Sequence, residues 1–142
     1  MIKMSKLTEY AFMVIMALKE SSSPASADHL AGLTGLETPT VSKVLKKLKK
    51  AGLLNSKRGA LGGYFLVRSQ QDISLNEVIV AMEGGLSLTE CADDDDACHL
   101  TRSCLMSAGM KRVNQVILDA LQSVTVSDIL EEPKKLNLQI KP

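Results

Sequence analysis

Thr38-Pro39-Thr40-Val41-Ser42-Lys43-Val44-Leu45-Lys46-Lys47-Leu48-Lys49-Lys50, followed by Ala51-Gly52, is the stretch that decides the fold. Thr38 is expected as an N-cap, with Pro39 at the first helical position, where its missing N–H costs nothing. Val41, Val44, Leu45 and Leu48 recur at i, i+3, i+4 and i+7, the buried stripe of an amphipathic helix. Thr40, Ser42, Lys43, Lys46, Lys47 and Lys50 are left facing water, and Ala51-Gly52 ends the helix.

Immediately downstream, Leu53 and Leu54 lead into the Gly-rich segment 55–63, and Tyr64-Phe65-Leu66-Val67 follow it. Two short apolar runs around glycines read as a β-hairpin, here with a basic tip at Arg58. Upstream, Leu7, Tyr10, Ala11, Val14 and Leu18 place a helix over residues 5–20. A loop at 21–26 offers Ser26 as the cap of a short helix, about 27–33, expected to bury Ala27, Leu30 and Leu33 before a turn at Gly35. Helix, helix, turn, helix, basic hairpin is the order of a winged helix-turn-helix.

Beyond the hairpin, Ser74 and Glu77 form a capping box that opens a helix to about Met82. Residues 84–104 read as a polar, acidic loop carrying every cysteine. From 105 to 124 the chain is helical again, and Met106, Met110, Val113, Ile117, Ala120 and Val124 are spaced as a heptad seam. Thr125, Ser127 and Asp128 cap a last turn through Leu130, and the tail from Pro133 is expected to be loose. The fold class is therefore mainly α. Residues 1–83 form the winged helix, 84–104 a sensor loop, 105–130 the long C-terminal helix with its cap, and 131–142 a flexible tail.

The net charge of +1 hides an asymmetry. Residues 1–68 hold 11 Lys+Arg against 4 Asp+Glu (+7), and residues 69–142 hold 6 against 12 (−6). Such a split suits a polyanionic partner for the front half alone, double-stranded DNA in this topology. No run of 18 apolar residues and no signal-peptide pattern is present, so a membrane partner is not expected and a cytoplasmic location is. Base stacking is disfavoured, since the chain has no Trp, two Tyr and two Phe. With no Ser-His-Asp set, no phosphate loop and only two histidines, neither an enzyme nor a small-molecule substrate is expected.

A recognition helix enters the major groove with its N-terminal residues closest to the base edges. Thr38, Thr40, Ser42 and Lys43 hold those positions, and Lys43 can reach guanine O6 or N7. Lys46, Lys47 and Lys50 suit phosphates, which position without specifying. Arg58, among glycines at the hairpin tip, suits a narrow minor groove.

Cys91, Cys98 and Cys104 fall within fourteen residues, with His99 among them. An odd number excludes a fully paired disulfide framework, and clustering in a reducing compartment favours metal or redox chemistry. An iron–sulfur cluster ranks first, and would need a fourth ligand. A thiol–disulfide switch follows, then zinc with His99, then three incidental cysteines. Asp93 to Asp96 between two of the cysteines read as a solvated acidic stretch.

Met4-Ser5-Lys6-Leu7-Thr8-Glu9-Tyr10-Ala11, Gly52-Leu53-Leu54 through Arg58-Gly59, Gly62-Gly63-Tyr64 and the cysteine loop before a long helix resemble the IscR/NsrR family of bacterial winged-helix, iron–sulfur and redox-sensing regulators. The SUF-system iron–sulfur assembly regulators are the nearest likeness, over about residues 3–130. The resemblance implies a homodimer built on the long C-terminal helix. It further implies operator affinity governed by a cluster on Cys91, Cys98 and Cys104, 2Fe-2S in preference to 4Fe-4S, and control of cluster-assembly genes. Arg58 matches the family's wing arginine. Ser107 stands where some members carry a histidine ligand, whereas Glu9 stands where others supply a carboxylate across the dimer. Glu9 of the partner subunit is therefore the expected fourth ligand. The alternative is a clusterless regulator governed by thiol–disulfide chemistry or by a partner protein.

Overall fold

A computed structural model describes residues 3–20, 23–93 and 98–131. Asp94 to Asp96 of the acidic stretch, and the tail beyond Glu131, lie outside the described residues. Three helices come first: α1 (Lys6–Glu20), α2 (Ala27–Thr34) and α3 (Thr38–Lys50). Strands β1 (Leu54–Lys57) and β2 (Gly63–Leu66) pair antiparallel, with Leu54 opposite Leu66 and Lys57 opposite Gly63. A 3-10 turn (Gln70–Asp72) leads to α4 (Leu75–Glu83), a single turn α5 (Glu90–Asp93), the long α6 (Ser107–Ser123) and α7 (Val126–Leu130). The architecture is mostly helical with a small two-stranded sheet, and it is a winged helix.

One core joins α1, α3 and α4 beneath the hairpin. Val41, Val44, Leu45 and Leu48 are all fully buried, as their spacing requires, and they meet Val14, Ile15, Leu30 and Val78. Ser26 caps α2 by accepting from His29 N, and the Ser74–Glu77 box is complete in both directions. Thr125 and Asp128 make a second complete box at α7.

The structure departs from the sequence reading at three places. Glu37, not Thr38, is the residue flanking α3; its backbone is extended, its side chain caps nothing, and Thr38 already lies in the helix. Leu33 is 50% exposed, because the core side of α2 closes with Leu30 and Ala31. The segment 84–104 is not all loop. Cys91 sits in α5, which packs on α6 and buries the cysteine.

On α6 itself only Ser107 and Asn114 are buried. Of the heptad seam, Met106 and Val113 are exposed and Met110, Ile117, Ala120 and Val124 are half-buried, so this chain leaves the seam unsealed. No helix is long and apolar enough to cross a membrane among the described residues.

Candidate nucleic-acid interface and cysteine segment

Between Glu37 and Asp72 the chain contains no Asp or Glu, yet it carries Lys43, Lys46, Lys47, Lys49, Lys50, Lys57, Arg58 and Arg68. Geometry then divides these cations. Lys43, Lys46 and Lys50 are exposed along one side of α3, opposite the buried valines and leucines. Lys47 Nζ donates to the Met82 carbonyl at 2.8 Å, tying the middle of α3 to the end of α4. Lys49 Nζ donates to Ser56 Oγ on β1, which holds the wing against the helix. Arg68 donates to the Asp72 carbonyl and pairs with Glu77. Lys47, expected at a phosphate, is thus engaged within the fold, whereas Lys46 and Lys50 are exposed. Thr38, Thr40 and Ser42 are half-buried at the start of α3, beside exposed Lys43.

The wing is fixed at its base. Ala25 and Tyr64 exchange two backbone hydrogen bonds, at 2.9 and 2.8 Å. That contact requires Gly63: its φ is +151°, and a Cβ there would lie 2.6 Å from the Ala25 carbonyl group. Arg58 and Lys57 stand exposed at the tip with Leu61, which is 90% exposed.

A second junction, which the sequence did not signal, lies at the far end of α4. Glu83 Oε1 accepts from the backbone N–H of Ser5 at 2.9 Å and from the Thr8 hydroxyl. Thr8 is fully buried. The Thr8 hydroxyl, then the Ser5 N–H, hold the Glu83 carboxyl below its usual range against a small opposing effect of burial; the Lys47 charge adds to this. For Glu77 burial pushes upward, but the Ser74 N–H, the Arg68 guanidinium and the Ser74 hydroxyl together outweigh it, and its carboxyl also titrates low.

Gly84 and Gly85 carry the chain from this junction into the cysteine segment. Cys91 is 8% exposed, and its Sγ lies 3.2 Å from Thr89 Oγ1. Cys98 is half-buried, Cys104 is exposed, and all three thiols are free. Glu9, the expected fourth ligand, pairs with Lys6 of its own helix, whose ammonium is held above its usual range by that hydrogen bond. No three His, Cys, Asp or Glu side chains gather into a metal-binding group among the described residues. The three thiols stand in different environments.

Three comparisons bear on this geometry. The family model for Rrf2, described as an iron-dependent transcriptional regulator, matches residues 4–132. A Synechocystis protein named for an HTH-type transcriptional regulator is 30% identical over 114 residues, 80% of this chain and 76% of its own. Protein rrf2 of Nitratidesulfovibrio vulgaris is 26% identical over 117 residues, 82% and 78% of the two chains. Among solved structures, CymR, the global cysteine regulator of B. subtilis, matches with a TM-score of 0.65 at 27% identity, over 91% of this chain and 96% of that one. IscR of T. potens gives 0.63 at 29% identity, over 99% and 93%.

Proposed function

Because this chain belongs to the Rrf2 family of transcriptional regulators, we propose that it binds double-stranded DNA as a homodimer and that its cysteine segment sets operator affinity. It is a regulator, not an enzyme, as its relatives are. The observation that carries the reading is the acid-free stretch 38–71, in which Lys43, Lys46 and Lys50 are exposed on α3 and Arg58 is exposed on a clamped wing. Thr38, Thr40, Ser42 and Lys43 read bases, Lys46 and Lys50 meet phosphates, and Arg58 enters the minor groove. Lys47 contributes through the position of α3. The unsealed seam of α6 supplies the dimer contact.

Gel shifts at two salt concentrations test the division of labour. Lys46→Ala should weaken specific and random DNA alike and reduce the salt slope by about 1.8, one contact of about 0.9 from each subunit of the dimer. Lys43→Ala should lose more on the operator than on random DNA; equal losses would refute its base-reading role.

The signal is proposed to be an iron–sulfur cluster, 2Fe-2S before 4Fe-4S, held by Cys91, Cys98, Cys104 and Glu9 of the partner subunit. The family's iron-dependent description and the three cysteines support this, and cluster-assembly genes are the proposed targets. The separated thiols favour a second reading, in which thiol oxidation or a partner protein acts on the segment without a cluster. Purification without oxygen separates the two. Visible absorbance with stoichiometric iron and sulfide, lost in Cys98→Ala, supports the cluster; a colourless protein that still binds its operator supports the thiol reading.

A further inference from the structure

The tip of the wing carries a side chain that its positive charge does not account for. Residues 58–62 join β1 to β2. Gly62 N–H donates to the Gly59 carbonyl at 2.9 Å, closing a reverse turn with Ala60 and Leu61 at its centre. A Cβ on Gly62 would overlap the Lys57 carbonyl oxygen, so the turn is folded tightly onto the end of its own hairpin. At the centre of that turn Leu61 is 90% exposed, and its side chain packs on almost nothing in the chain.

The turn itself does not ask for leucine. Neither Ala60 nor Leu61 has a positive φ, so many residues would serve there, and turn centres are ordinarily polar or glycine. A lone exposed leucine elsewhere on a surface needs no explanation. This one follows Lys57 and Arg58 by four and three positions, both of them exposed, in a stretch that holds no carboxylate from 38 to 71. A side chain so placed is buried only by whatever the wing meets, and the charge beside it selects a polyanion.

We propose that Leu61 is a specificity-determining residue of the DNA-binding reading above, on which this inference rests: an apolar wedge that enters the minor groove with Arg58 and presses into a TA step. Apolar side chains pushed between base pairs unstack them and kink the duplex. Pyrimidine–purine steps yield most easily. Arg58 favours A·T pairs, whose minor groove lacks the guanine amino group. TA alone is both a pyrimidine–purine step and made of A·T pairs. Leu61 thus reads deformability at the wing, while α3 reads base edges.

The experiment is selection from a random duplex library, run in parallel for the full parent chain, Leu61→Ser and Leu61→Met. Anisotropy on the recovered site and energy transfer between the duplex ends then give affinity and bend. The parent should enrich a TA step at a fixed distance from the core of each half-site. Changing TA to AA in one half-site should weaken the parent about tenfold and reduce the bend. Leu61→Ser should recover the same core without the TA step, lose less than about twofold on the same change, and bend the duplex less. Leu61→Met should keep both the preference and the bend. Both variants should melt like the parent, because position 61 is exposed. A Leu61→Ser protein that keeps the TA preference and the bend overturns the wedge and leaves the DNA-binding reading standing. A parent chain that enriches no site overturns both.

Discussion

Lys47 Nζ, in the middle of α3, donates to the Met82 carbonyl at 2.8 Å, and the next residue, Glu83, accepts from Ser5 N–H and the Thr8 hydroxyl. The last turn of α4 therefore fastens α3 and the start of α1 at one place. Gly84 and Gly85 lead directly from that place into the cysteine segment. A rearrangement of the segment that pulls on α4 reaches α3 through this charge-assisted hydrogen bond and through the packing of the two helices. Lys47→Ala should cost about 1–3 kcal/mol, seen as a fall of a few degrees in the melting temperature. It should change the salt slope of DNA binding much less than Lys46→Ala does. A slope lowered equally by both variants would mean that Lys47 is spent on phosphate instead.

Glu83 and Glu77 both have carboxyls lowered by folding from an ordinary value of 4.5. A lowered folded pKa stabilises the native state above the unfolded value, and the stabilisation is lost as pH falls through the lower folded one. Stability should therefore be flat above about pH 5 with respect to these groups and decline below it. Glu83→Gln should lower stability at pH 7 and flatten the acid decline. Urea melts at pH 7 and at successive steps below pH 5 measure this; an equally steep decline in Glu83→Gln would remove Glu83 from the account.

Much of the fold was legible because its determinants are local. The Val41–Leu48 stripe, the Ser74–Glu77 box and the glycines around the hairpin each lie within a few residues of what they control, and each recurs in the structure. What was not legible is non-local. Ser5 and Glu83 are 78 positions apart, and nothing in either residue names the other. Lys47 looks identical to Lys46 in the sequence, yet one faces α4 because it lies nearer the buried stripe. The same holds for Cys91: a polar, Asp-rich neighbourhood suggested loop, and packing of α5 on α6 buried it. The start of α3 is ambiguous by one position because Pro39 fits either the first or the second helical residue.

The clamp at the wing base makes a sharp demand on Gly63. Alanine there would meet the Ala25 backbone and would have to adopt a left-handed φ, a strain of about 1–3 kcal/mol. Gly63→Ala should lower the melting temperature and weaken DNA binding together. Gly32→Ala, where a Cβ meets nothing within 4 Å, should do neither. Equal effects of the two changes would contradict the clamp.

On α6, Val113 is 48% exposed and belongs to the seam that this chain leaves open. Val113→Asp should leave the fold intact and shift sedimentation from dimer to monomer at micromolar concentration. DNA affinity should fall with it, since two half-sites would no longer be read together. A variant that still sediments as a dimer would place the contact elsewhere.

Selection of duplexes from a random library, followed by fluorescence anisotropy on the recovered sequence, examines the DNA-reading surface itself. The chain should enrich a two-fold-related site. The triple variant Lys43→Ala/Lys46→Ala/Arg58→Ala, all at exposed positions, should lose at least a hundredfold in affinity while melting normally. Failure to enrich any sequence, or a triple variant that binds the recovered site like the parent, would contradict the assignment.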